Sequence, residues 1–201
     1  MNYSYLTIAE RVDDVDFKEK GSKFISYAIP VSDEEEAKEE IKKLWEKHSE
    51  ATHICYAYRI GLKGEIYRAN DDGEPSGSAG LPIYNQILSK EITFVLVASV
   101  RYYGGTKLGV PGLVKAYKLA AQLALEEAGI TEKYLTEKIK FVFSYEDQGA
   151  VMRLVNKFNA EVLKSGFTEN CSIEVKIQKQ TADDFIAAFE PLYTVKIERL
   201  G

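Results

Sequence analysis

The chain has 201 residues, 45% of them hydrophobic, and a formal net charge of −5. That length builds one or two domains with real cores. No apolar run approaches the ~18 residues a spanning helix needs, and the acidic balance argues against a generally basic nucleic-acid protein.

The start, "MNYSYLTIAERVDD", has neither a basic opening nor an apolar signal core, so a cytoplasmic protein is expected. "GSKFISYAIPV" alternates and predicts a strand ending at Pro30. Ser32 with Glu35 reads as a capping box for a helix to about residue 48, whose apolar stripe is Ala37, Ile41, Leu44, Trp45 and His48. "THICYAYRI" and "GEIYRAN" predict a hairpin through Gly61 to Gly64. The loop "DDGEPSGSAG" leads to a short helix with Pro82 near its first turn. "EITFVLVASV" is an unbroken apolar run, a strand covered on both faces. A helix over about 112–128 follows, apolar nearly all round, and "AGITEKYLTE" reads as a domain boundary.

Beyond it, "KIKFVFSY" and "CSIEVKIQ" alternate strictly, and "EVLKSGF" and "YTVKIERL" do so more weakly. Two helices lie between them, one over roughly 147–158 and one after Thr181, with Asp184 as its capping partner. The order β-α-β-β-α-β predicts a ferredoxin-like sandwich over residues 136–201, and residues 1–135 form a larger α+β unit. Cys55 and Cys171 lie in separate apolar, alternating segments, which points to buried, reduced thiols. Two histidines and two distant cysteines cannot make a zinc cage of the usual spacing, and no metal or cofactor is expected.

Charge is unevenly spread. Residues 33–50 hold eight acids against four lysines, whereas residues 59–118 hold eight bases against five acids. Within the latter lies "RYYGGTKLGVPGLVKAY" at 101–117. Gly104, Gly105, Gly109 and Gly112 let a ligand approach the backbone, and the amides at a helix start favour an anion. Arg101 and Lys107 add mobile charge, Lys115, Arg59 and Arg68 extend it, and Tyr102 and Tyr103 offer faces for a base. The pattern is neither a Walker A loop, since Val110 and Pro111 stand where Lys and Ser or Thr are needed, nor a dinucleotide fingerprint. A purely structural tight turn is the alternative.

In the other glycine-rich loop, Asp71, Asp72 and Glu74 are candidates for Mg²⁺ binding or acid–base work. Equally, they are the residues that build Asx turns and helix caps. His53 is a weaker catalytic candidate, on the same strand parity as Cys55 and Arg59.

The two blocks "RANDDGEPSGSAGLPI" at 68–83 and "VRYYGGTKLGVPGLVKAY" at 100–117 together resemble the IMPACT/YigZ family, uncharacterised protein family 0029, in its bacterial two-domain form. The family's Arg, two aromatics, two glycines, aliphatic and Gly fall on Arg101, Tyr102, Tyr103, Gly104, Gly105, Leu108 and Gly109. Ser78 stands where Thr is usual, Pro111 where Gly is commoner and Lys115 where Arg is. The resemblance implies a ribosomal protein S5 domain 2-like fold, then a ferredoxin-like domain similar to the C-terminal domain of elongation factor G. It also implies a setting in translation, with RNA or the ribosome as partner. Eukaryotic relatives meet a translation-factor protein through a further N-terminal domain that has no counterpart here, so that partner does not transfer.

Three readings follow. The first is a nucleic-acid- or ribosome-binding protein that meets phosphate at 101–112. The second is an enzyme acting on a phosphorylated small molecule or nucleotide with the 71–74 acids; an enzyme is the less favoured of the two. The third is a protein-binding module that docks through the open sheet face of residues 136–201.

Overall fold

The computed structural model describes residues 3–167 and 171–200. It is mixed α/β, with three sheets and five α-helices among the described residues. Two compact units are present, Tyr5–Lys133 and a second of Tyr134–Gly201 with Met1–Ser4.

The first unit contains, in order, β1 (Ser4–Ile8), β2 (Val12–Glu19), β3 (Ser22–Pro30), α1 (Glu34–Lys47), β4 (His53–Ile60), β5 (Ile66–Asn70), α2 (Gly80–Ser89), β6 (Val95–Tyr102), α3 (Gly109–Ala128) and β7 (Ile130–Tyr134). β1 pairs with β7, and the main sheet runs β2-β3-β6-β4-β5. Every neighbouring pair in that main sheet is antiparallel. The apolar run of β6 is explained by its central place. Val95 and Val97 face α2 and α3 together with Phe24, Ala28, Cys55 and Ala57. Leu96, Ala98 and Val100 face α1 together with Ile25, Ile29, Ile54 and Tyr58. The acidic α1 and the glycine-started α3 therefore cover opposite faces of one sheet.

Several boundaries differ from expectation for physical reasons. The side chain that caps α1 is Asp33, which accepts from the Glu36 amide at 2.8 Å, while Glu36 reaches back to the Ser32 amide at 2.7 Å. The capping box thus lies one residue later than the Ser32–Glu35 reading. α3 begins at Gly109, a turn before residue 112, with Pro111 inside its first turn, where the missing N–H costs no intrahelical hydrogen bond. β2 ("VDDVDFKE") escaped the alternation test. It is an edge strand whose register shifts between Val12 and Val15, so only Val12, Val15 and Phe17 reach the core. The boundary segment also holds β7, which was not foreseen.

The second unit runs β8 (Thr136–Phe143), a 3-10 turn (Tyr145–Asp147), α4 (Gln148–Lys157), β9 (Glu161–Phe167), β10 (Cys171–Gln178), α5 (Ala182–Ala187) and β11 (Lys196–Arg199). The β-α-β-β-α-β order is the one its alternation predicts, and the strands lie β11-β8-β10-β9, all antiparallel. Ile139, Phe141, Phe143, Ile173 and Val175 meet Val151, Val155 and Phe185 in one core. The opposite sheet face carries Lys138, Lys140, Glu174 and Lys176, as the alternation requires. Thr181 does not cap α5 through its side chain; its hydroxyl donates to the Gln178 carbonyl at 3.1 Å.

One backbone contact joins the β2–β3 turn to the loop after β6. A Cβ on Gly104 would lie 1.9 Å from the carbonyl carbon and oxygen of Gly21, so only glycine fits without moving the chain. Gly104→Ala is expected to lower stability by about 2 kcal/mol or more. Gly149→Ala, in helix α4 with nothing within 4 Å of the new methyl, should raise it by about 0.5 kcal/mol. Urea unfolding of both variants checks the contrast.

Candidate functional site

β6 delivers Arg101 to the face that packs under α2 and α3, opposite Phe24 of β3 and His53 of β4. It is 5% exposed. Its Nη1 donates to Glu74 Oε1 at 2.6 Å and its Nη2 to Ser22 Oγ at 3.2 Å, while its Nε has no acceptor among the described residues. Arg101 is therefore not mobile surface charge. The strand's register fixes it inside, and burial beside a carboxylate holds the planar fork in place. Tyr117 of α3 donates from its hydroxyl to the same Glu74 oxygen at 2.8 Å. Ser22 and Tyr117 were not singled out by sequence. The signal for Ser22 lay in its parity with Phe24 and Ala28 on β3, which places a hydroxyl on an inner face.

The acidic loop is spent on its own architecture. Asp71 accepts from the amides of Gly77, Ala79 and Gly80 at 2.8–2.9 Å, capping α2, which has no side-chain cap at Ala79. Asp72 accepts from the Ile54 amide at 2.6 Å, and its backbone carbonyl accepts a hydrogen bond from His53 Nδ1–H at 2.6 Å. That contact fixes His53 as the Nδ1–H tautomer when neutral, with Nε2 left as an acceptor. Cys55 Sγ lies 3.0 Å from the Asp71 carbonyl, and burial pushes its thiol pKa well up, so it stays protonated. Glu74 is the buried partner of Arg101. Thus Asp71, Asp72 and Glu74 hold the chain's own donors rather than opening toward a metal, and no group able to hold a metal ion is found among the described residues.

The loop from Tyr103 to α3 is tied at its start by the Tyr103 amide to Thr52 Oγ1 at 3.0 Å and the Gly104 amide to Ser22 Oγ at 3.3 Å. From Gly105 to Val110 the amides meet no acceptor among the described residues. Gly105 and Gly109 take φ values of 84° and 69°, the left-handed region that favours glycine. A cavity of about 320 Å³ opens here, walled by Pro75, Arg101, Tyr103, Lys107, Leu108 and Val110 among others. Tyr103 is 46% exposed, and its ring lies 5.5 Å from the Arg101 guanidinium. Lys107 is exposed at the rim.

The remaining candidates are scattered. Tyr102 points to the other sheet face, where its hydroxyl meets His48 Nδ1 at 2.8 Å; it offers no open ring face for a base. His48 Nε2 in turn meets the Tyr27 hydroxyl at 2.6 Å, and Tyr27 donates to Asp14. Arg59 is fastened to the carbonyls of Ile92 and Lys63 at 2.8 and 2.7 Å, so its charge braces the β4–β5 hairpin. Arg68 is exposed on edge strand β5, and Lys115 is exposed on α3. Gly112 sits in the first turn of α3, where a Cβ would meet Leu108 at 3.1 Å.

Both loops lie within residues 20–125, which match the Impact N-terminal domain. IMPACT family member YvyE of Bacillus subtilis (strain 168) is 33% identical over 185 residues, 92% of this chain and 85% of that protein. The chain belongs to the IMPACT family. IMPACT family member YigZ of Escherichia coli (strain K12) is 27% identical over 84% of this chain and 83% of its own length. The crystal structure of a hypothetical protein superposes with a TM-score of 0.72 at 25% identity, covering 100% of this chain and 99% of that one. The resemblance read from the two glycine-rich blocks is therefore a family membership extending over most of the chain. In this IMPACT family chain the blocks are one structure, joined by the Arg101–Glu74 pair.

Two measurements check the interior chemistry. Glu74→Ala leaves Arg101 buried with only Ser22 as partner and should cost about 3–5 kcal/mol, read by chemical unfolding. His48, facing Asp14, Lys47, Lys23, Tyr27 and Tyr102, has its pKa lowered from 6.5, chiefly by burial and then by Lys47. The folded state thus resists protonation where the unfolded chain accepts it. The stability due to neutral His48 is full above its unfolded pKa of 6.5 and is lost as pH falls toward the folded value. His48→Gln should flatten the stability-versus-pH curve just below that point.

Proposed function

We propose that the loop 101–112 of this IMPACT family protein binds phosphate of a nucleic acid, and that the protein acts on RNA or the ribosome in the regulation of translation. One observation carries the reading. Arg101, buried with its Nε lacking an acceptor and its charge paired with Glu74, walls the same cavity as Lys107 and the Leu108 to Val110 backbone, whose amides lack protein acceptors among the described residues. Buried donors without acceptors are rare, and consecutive outward amides at a helix start form a receptacle for negative oxygens.

In this reading the amides of Gly105 to Val110 and Lys107 hold the phosphate oxygens. Arg101 sets the wall from beneath, and Tyr103 packs against the attached base or sugar. Arg68 and Lys115 belong to the surrounding field. The setting in translation comes from the family. We extend the proposal to the folds: a ribosomal protein S5 domain 2-like unit over 1–135, then a ferredoxin-like unit over 136–201 similar to the C-terminal domain of elongation factor G. The strand order β11-β8-β10-β9 supports the latter. A cytoplasmic location fits the free, buried Cys55 and Cys171.

The test is co-sedimentation with ribosomal subunits at low and high salt. Wild type should pellet with subunits at low salt and be released at high salt, and Lys107→Glu should reduce pelleting roughly tenfold at low salt. Equal pelleting of the two proteins at both salts would refute the reading.

A further inference from the structure

We infer that the phosphate site is one half of a track for single-stranded nucleic acid. The other half is the cavity on the far side of the first turn of α3. The inference rests on the phosphate-binding reading above.

This second cavity has a volume of about 420 Å³, and Phe17, Glu19, Lys20, Leu108, Pro111 and Lys115 are among the residues that line it. Leu108 is a wall of both cavities. The two share one composition: an aromatic ring (Tyr103 or Phe17), lysine (Lys107, or Lys20 and Lys115), aliphatic walls, and one glutamate each, Glu74 paired with Arg101 in the first and Glu19 in the second. Lys20 is set in place by the β2–β3 turn, where its φ is 46° and Gly21 meets the backbone of Gly104. One loop contact thus positions both halves.

The alternation of apolar room and cation decides the ligand class. A free phosphate or mononucleotide satisfies one half only. A duplex keeps its base faces stacked within the helix, so it has no ring to place in either cavity. An unpaired strand presents base, phosphate, base in the order the two cavities offer around Leu108. The halves differ in their donors. Pro111 has no N–H, so the second half relies mainly on Lys20 and Lys115 to attract phosphate, whereas the first adds backbone amides. Both lie on the α3 face, with the sheet between them and the acidic helix α1.

The test uses the full chain, a fluorescent short oligouridylate followed by anisotropy, and competition by UMP and by the same oligomer annealed to its complement. Wild type should bind the single strand roughly tenfold more tightly than UMP or the duplex. Lys115→Glu should weaken the oligomer roughly tenfold and flatten its salt dependence, with a much smaller effect on UMP. Lys107→Glu should weaken both ligands. If Lys115→Glu binds the oligomer as wild type does while Lys107→Glu weakens both, the track is wrong and the phosphate site stands. Equal binding of duplex and single strand would likewise overturn the track. If Lys107→Glu alters neither ligand, the phosphate site itself falls.

Discussion

The first unit is organised around a buried ion pair. Arg101 and Glu74 meet at 2.6 Å with side chains 6% and 4% exposed. Removing both charges from water is costly, and their attraction offsets that cost only when the remaining hydrogen-bonding capacity is also used. Here Tyr117 and Ser22 use part of it, and the Arg101 Nε is left without an acceptor among the described residues. The pair therefore ties four elements at one point: the end of β6, the loop before α2, the start of β3 and the middle of α3. Two stretches that stand well apart in sequence become one surface because of it. The loop after β6 can be rich in glycine and still hold its shape, since its base is fixed by this cluster and by the Gly21–Gly104 contact.

The same cluster changes how the charge of the unit should be read. Counted along the chain, residues 59–118 carry eight bases and five acids. Arg101 and Glu74 cancel as an ion pair, while Asp71, Asp72 and Arg59 keep their charges but are held by backbone amides or carbonyls. Seven bases and four acids remain, with Lys107 exposed just before α3 and Lys115 exposed on it. The acids of residues 33–50 lie mainly on α1, across the sheet. An acidic protein thus keeps a locally cationic stretch, and the fold sets it apart from the acidic helix.

Sequence made some of this plain and hid the rest. Strict alternation gave the two central strands of the second unit because β8 and β10 each have one wet and one dry face, as in β10, where Cys171, Ile173, Val175 and Ile177 are buried, whereas β9, from Glu161 to Ser165, and β11 are exposed and alternate weakly. β2 and β7 were hidden because edge strands with polar outer faces lose the pattern. Arg101 misled for a different reason. It ends a run buried on both faces, so either parity leads inward, and a cation there is an interior residue unless the strand has already left the sheet. Register to Phe24 and His53 shows that it has not. Tyr102 follows the same logic onto the opposite face. The caps formed by Asp71 could not be read at all, since they depend on the loop folding back six to nine residues along the chain. The family resemblance, by contrast, rested on whole blocks of residues and needed no such geometry.

In the phosphate site proposed above, with Arg101 neutralised by Glu74, the attraction for an anion does not rest on a strong net charge. It rests on directed donors: loop amides without protein acceptors among the described residues, an Arg101 Nε without an acceptor, and the side chain of Lys107. Such a site selects by shape and donor direction, with a smaller share from long-range field. That suits a chain of net charge −5, which cannot rely on bulk attraction to a polyanion. It also explains why the glycines and the buried pair belong together. The pair holds the loop's base rigid, and the glycines let the loop's tip present backbone instead of side chains.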